Sequence, residues 1–170
     1  LIAVLMLQTI ELGWGTSIPS VSAQTAENLV KNGSYEDVSD GLPTDWKTWV
    51  SSGDPAFAVD DSVSKDGDYS LKISATETSR GTLNQTVTFA EEQKGHNYTL
   101  KQWIKTEDLT GQGAFNRMFF VDSNGSRIGD LIYLDAVTGT TDWTLIESTV
   151  YVPQDARIAG IKVENYFETG

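Results

Sequence analysis

Cysteine is absent, and that removes disulfides, thiolate nucleophiles and cysteine-based zinc or iron-sulfur sites at one stroke. Histidine is almost absent: only His96 could supply an imidazole base or metal ligand, so any catalysis would have to rest on carboxylates. Positive charge is scarce too. Twelve Lys and Arg stand against twenty-four Asp and Glu, and a formal charge of -12 repels a phosphate backbone, which excludes nucleic acid as a natural partner. No apolar run is long enough to cross a bilayer, since Leu1 to Leu7 is followed at once by Gln8 and Glu11. Sustained helical spacing of apolar residues is missing after Asn28, and so are a phosphate loop, HExxH and a Gly-x-Ser-x-Gly elbow.

What remains is a chain of 170 residues, 39% hydrophobic and 21% charged, which suits one globular domain. The apolar opening reads as the remains of a secretory leader. Pro19 and the small-residue site Val21-Ser22-Ala23 follow it, predicting cleavage after Ala23 and an extracellular or cell-surface protein. The alternative is a buried strand or helix of a longer protein. Residues 24–170 then form the domain proper.

Short alternating runs bounded by Gly, Asp, Asn and Ser predict about ten strands. They fall at 28–31, 46–51, 57–60, 69–74, 82–89, 97–106, 115–122, 127–134, 143–152 and 158–166. Turn chemistry at 40–43, 65–68, 94–97 and 123–126 supplies Gly or Asn where positive φ is required. Hairpins without crossover helices predict an all-β, antiparallel two-sheet β-sandwich of jelly-roll type. Period two puts Leu83, Val87 and Phe89 toward the core with Gln85 as the exception, and sets Trp103 among lysines on a solvent-facing surface.

Five segments in order carry a resemblance: NLVKNGSYE at 28–36 with GLPTDW at 41–46, KDGDYSLKI at 65–73, GHNYTLKQWIK at 95–105, TGTTDWT at 138–144, and Val152-Pro153. The chain resembles carbohydrate-binding modules of the family 4, 9, 16 and 22 type, over residues 28 to 163. The resemblance implies a galactose-binding-like fold that binds polysaccharide or oligosaccharide without chemistry, as the accessory domain of a secreted glycoside hydrolase or of a wall protein linked beyond the C-terminus. Family members close with a further aspartate-bearing strand, which does not occur before Gly170, so the domain is expected to lack its last strand. A structural calcium is also implied, with Glu36 as side-chain ligand and Asn32, Lys65, Asp66 and Asp68 around it, because a hard cation gathers carboxylate and carbonyl oxygens. The segment 122–126 is read as a hairpin turn instead.

Sugar recognition stacks the C–H face of a pyranose on an aromatic ring while polar groups bond its hydroxyls. Trp46 and Trp143 are expected to pack structurally. Trp49, Trp103, Tyr133 and Phe119 are the candidate rings, with Asn116, Arg117 and Gln102 as polar companions. The rival reading is a structural or adhesive β-sandwich with its aromatics merely packed, and exposure of Trp49, Trp103 or Tyr133 along a groove is what separates the two.

Overall fold

The computed structural model describes residues 28–170 in full and the backbone path of residues 2–11. Eleven strands carry the described chain: β1 (Ile2–Glu11), β2 (Val38–Ser39), β3 (Leu42–Pro43), β4 (Lys47–Ser52), β5 (Ala56–Asp60), β6 (Ser70–Ala75), β7 (Ser79–Thr88), β8 (His96–Val121), β9 (Arg127–Tyr133), β10 (Val137–Val152) and β11 (Gly160–Thr169). Every strand pairing is antiparallel. Among the described residues the sole helical element is a 3-10 turn, Glu91–Gln93, and no helix is long and apolar enough to cross a membrane.

The expected all-β sandwich is therefore present, with one feature that separate strand assignments at 97–106 and 115–122 did not contain. Those two runs are one strand, β8, which belongs to both layers. Residues 99–107 of β8 lie beside β1, and residues 113–121 lie between β11 and β9. One layer thus runs β5-β6-β1-β8-β10, and the other β4-β7-β11-β8-β9. The passage between layers uses positive φ at Asp108, Gly111 and Gly113. Glycine is required at position 113, because a Cβ there would lie 2.5 Å from the Val137 carbonyl oxygen of β10.

The core closes between the layers. Leu71 and Ile73 of β6, Leu100 and Ile104 of β8 and Ile146 and Val152 of β10 meet Leu83 and Val87 of β7, Met118 of β8 and Ile161, Val163 and Phe167 of β11. Period two sorts these strands, since each alternates a buried apolar side with a polar one. Gln85, expected as the exception to this core-facing set, is buried with it: its amide donates to the carbonyls of Lys31 and Asp45, which satisfies the polar group and ties the N-terminal loop to β7.

That loop corrects one strand assignment. Residues 28–31 are not a strand; Asn28 Oδ1 accepts the Val30 N–H in a local turn, and Lys31 N–H donates to the Gln85 side chain instead of to a ladder. Residues 2–11, expected within a leader, run as β1 between β6 and β8. The Ala23 cleavage site lies outside the described residues.

Candidate functional site

The outer face of the second layer is a groove built in rows across the sheet. Cα register sets Trp49 beside Thr82, Thr82 beside Tyr166 and Tyr166 beside Phe115. The next row joins Lys47, Asn84, Glu164, Arg117 and Tyr133. A third sets Thr86, Lys162 and Phe119 together. Opposed residues in an antiparallel ladder project to the same side, so these chains share one surface.

Its floor is deep and its walls stand out. Thr82, Glu164, Tyr166 and Phe115 are buried, whereas Trp49 is 52% exposed and Tyr133 57% exposed. The two wall rings come from the outermost strands, β4 and β9. Four strand steps separate these strands, about 19 Å in a flat sheet. One sugar ring cannot touch both walls; an oligosaccharide can.

The floor is held by charge and ring contacts. Arg117 Nε donates to Glu164 in a close ion pair, and its guanidinium lies 4.6 Å from the Tyr166 ring centroid. Phe115 stacks on Tyr166 at 4.6 Å and meets Tyr133 at 6.1 Å. Lys162 Nζ stands 3.7 Å from Glu164 and 5.9 Å from the Phe119 ring centroid. At the far end Arg80 donates to Glu168 at 2.7 Å and the Tyr166 hydroxyl donates to Glu168 at 3.1 Å. Burial first, then the bond to Glu168, pushes the Tyr166 phenol above its ordinary range, so it remains a hydrogen-bond donor. Each floor carboxylate is thus a counter-ion to a cation.

Of the residues expected to bind ligand, Trp49, Tyr133, Phe119 and Arg117 are brought together on this face. Asn116 and Gln102 are not. Both are wholly buried between the layers, where Asn116 donates to Asn165 Oδ1 at 2.6 Å and Gln102 faces the core between Leu100 and Ile104. Period two explains the placement: Asn116 and Gln102 lie on the opposite side of β8 from Arg117 and Trp103 respectively. Trp103 is on the outer surface of the other layer, its ring 4.2 Å from Lys65 Nζ. Trp46 packs structurally as expected, donating its indole N–H to the Asn32 carbonyl and meeting Tyr35 at 5.6 Å; Trp143 is only half-buried. Sequence reasoning missed Tyr166, Glu164 and Asn84. The alternation of Lys162, Glu164, Tyr166 and Glu168 with Ile161, Val163, Asn165 and Phe167 was the signal that could have found the first two.

The expected cation loop is a clasp around Glu36. Its carboxylate accepts the N–H groups of Asp68 and Tyr69 at 3.2 Å, and a Cβ on Gly67 would sit 2.2 Å from Glu36 Oε1. Asp66 caps the Gly67 N–H. Asn32 is turned elsewhere, bracketing Asp37 and Thr44 with its amide. Of the expected ligands, Glu36 reaches the loop, where it meets the N–H groups of Asp68 and Tyr69 and not carbonyl oxygens; among the described residues no three Asp, Glu or His side chains form a metal cluster.

Comparison with known proteins gives the family and the fold. A family model, CBM_4_9_1, described as BppA domain 1, matches residues 26–170. No curated protein matches the chain significantly. The enzymatically active domain of bacteriophage CBA120 tailspike protein 4 is similar in fold, with a TM-score of 0.62 at 16% identity over 80% of this chain and 20% of that one. The chain spans only that fifth of the tailspike structure. The C-terminal family 22 carbohydrate binding module of Clostridium thermocellum Xyn10B aligns with a TM-score of 0.48 at 13% identity, over 76% of this chain and 80% of that one.

Proposed function

Because the chain belongs to the carbohydrate-binding-module family CBM_4_9_1, we propose that its groove binds a polysaccharide or oligosaccharide chain without cleaving it. The observation that carries this reading is the pair of exposed rings, Trp49 and Tyr133, at the two walls of a floor rich in hydrogen-bonding groups. Aromatic faces take the C–H sides of successive sugars, and the more exposed Lys47, Arg117 and Lys162 meet hydroxyls between them. The acids of the floor favour binding over hydrolysis, since Glu164 and Glu168 are each engaged by a cation instead of being held as a proton donor beside a free base.

Affinity electrophoresis through gels containing soluble polysaccharides tests the reading. Retardation by at least one glycan is expected, and unretarded migration through the whole panel would overturn it. The same reading makes the domain an accessory of a linked enzyme or surface protein, raising local concentration on the glycan. Secretion belongs to it as well. A leader cut after Ala23 would remove β1 and leave the facing edges of β6 and β8 to another strand, so N-terminal sequencing of exported protein decides the point. Calcium is the remaining element: Glu36 with carbonyls of the 65–68 loop would hold it, and a rise in melting temperature on calcium addition, reversed by chelator, is the result expected.

A further inference from the structure

The charge of the groove is opposite to that of the molecule. The strand rows of this face present Lys47, Arg80, Arg117, Arg127 and Lys162 against Glu164 and Glu168, five cations to two anions, in a chain whose formal charge is -12. Arg117 and Lys162 are largely spent on Glu164. Lys47 is not spent in this way, and Arg80, although paired with Glu168 at 2.7 Å, keeps part of its guanidinium in water. No ion pair engages Lys47 among the described residues, and the Arg80 side chain is 45% exposed beyond its single bond to Glu168.

Their position gives these two cations a role. Trp49 pairs with Thr82 in register, so Lys47, two residues earlier on β4, and Arg80, two residues earlier on β7, flank the same ring on the same face. A pyranose stacked on Trp49 would have its exocyclic substituents over Lys47 or Arg80. A neutral hydroxymethyl group gains little there. A carboxylate gains charge-assisted hydrogen bonds, bidentate in the case of the guanidinium. An anionic substituent on that ring would meet the local charge of these cations, which is opposite in sign to the net charge of the chain.

We infer that this groove takes an acidic glycan, a uronate-bearing polysaccharide, with a uronic-acid residue on Trp49 and its carboxylate met by Lys47 or Arg80. The inference rests on the glycan-binding reading above and narrows its ligand class.

Calorimetric titration with polygalacturonate, alginate and hyaluronan, each against its carboxyl-reduced neutral form, tests it. The uronate forms are expected to bind more tightly by about tenfold, and to weaken as salt rises while the neutral forms change little. Lys47→Gln, which breaks no ion pair of the fold, and Arg80→Gln should each lower the ratio of uronate to neutral affinity. Neutral forms bound as tightly as uronates, or a ratio indifferent to salt and to both substitutions, would overturn the inference and leave the glycan-binding reading standing. Failure of all of these glycans and of the wider gel panel would overturn both.

Discussion

Arg117 lies over the face of Tyr166 at 4.6 Å while its Nε bonds Glu164, so one side chain ties two strands and sets the groove floor. Glu164 is almost wholly buried, and removing its principal partner leaves a carboxylate supported only by Lys162 at 3.7 Å. Arg117→Ala should cost about 2–3 kcal/mol in denaturant unfolding. Replacing Arg117 and Glu164 together by leucine should recover most of that loss, because no uncompensated charge remains.

Tyr35 and Asn165 form the polar link inside the core. The Asn165 amide donates to the Tyr35 hydroxyl at 2.8 Å, and Asn165 Oδ1 accepts from Asn116. Tyr35→Phe keeps the ring against Trp46 and removes the acceptor, leaving a buried N–H unpaired. A loss of about 1–3 kcal/mol is expected, read as a lower melting temperature without loss of glycan binding.

Gly67 and Glu36 are coupled through space. Gly67 has φ +73° and approaches the Glu36 carboxylate so closely that any Cβ collides with it. Gly67→Ala should destabilise by about 1–2 kcal/mol. In a Glu36→Ala background the collision is gone and part of the cost should vanish, a non-additivity that a double-mutant cycle measures.

Acid stability has a specific source in Asp60. Burial alone would raise its carboxyl, but hydrogen bonds from Ser62 and Lys72, with the Lys72 charge, outweigh that and hold it well below the usual carboxylate range. A carboxyl depressed on folding stabilises the native state above its unfolded pKa of about 3.9, and that contribution fades as pH falls toward the folded value. Melting temperature should therefore drop below about pH 4. Asp60→Asn should be less stable at neutral pH and show a flatter acid limb.

The sequence made the layer architecture legible wherever one face of a strand was plainly apolar, as at Leu83 and Val87, and wherever Gly or Asn marked a turn. Trp49 was recognisable because it lies one strand step from the Ser-Ser-Gly-Asp loop at 51–54, and Tyr133 because it falls in a strand ending near Asp135. Asn116 and Gln102 misled because polarity usually marks a surface; the Asn116 amide N–H donates instead to Asn165, a partner forty-nine residues away that no local pattern reveals. Tyr166 and Glu164 were missed for a separate reason. Their alternation with Ile161, Val163 and Phe167 was visible, but nothing local shows that their side of the strand faces the same surface as Trp49 and Tyr133, which only the register across β7, β11, β8 and β9 reveals. The merging of two runs into β8 also escaped, since a Gly-rich passage at 108–113 resembles a loop until register shows it crossing between layers.

The account stands on Trp49 and Tyr133 as sugar platforms. Its most direct test is isothermal titration of whichever glycan retards the chain in gels, comparing Trp49→Ala and Tyr133→Ala with Trp103→Ala, whose ring lies on the other layer beside Lys65. Losses of about tenfold or more are predicted for each wall substitution, and wild-type affinity for Trp103→Ala. Undiminished binding by the Trp49 and Tyr133 variants, or its loss with Trp103 alone, would contradict the account.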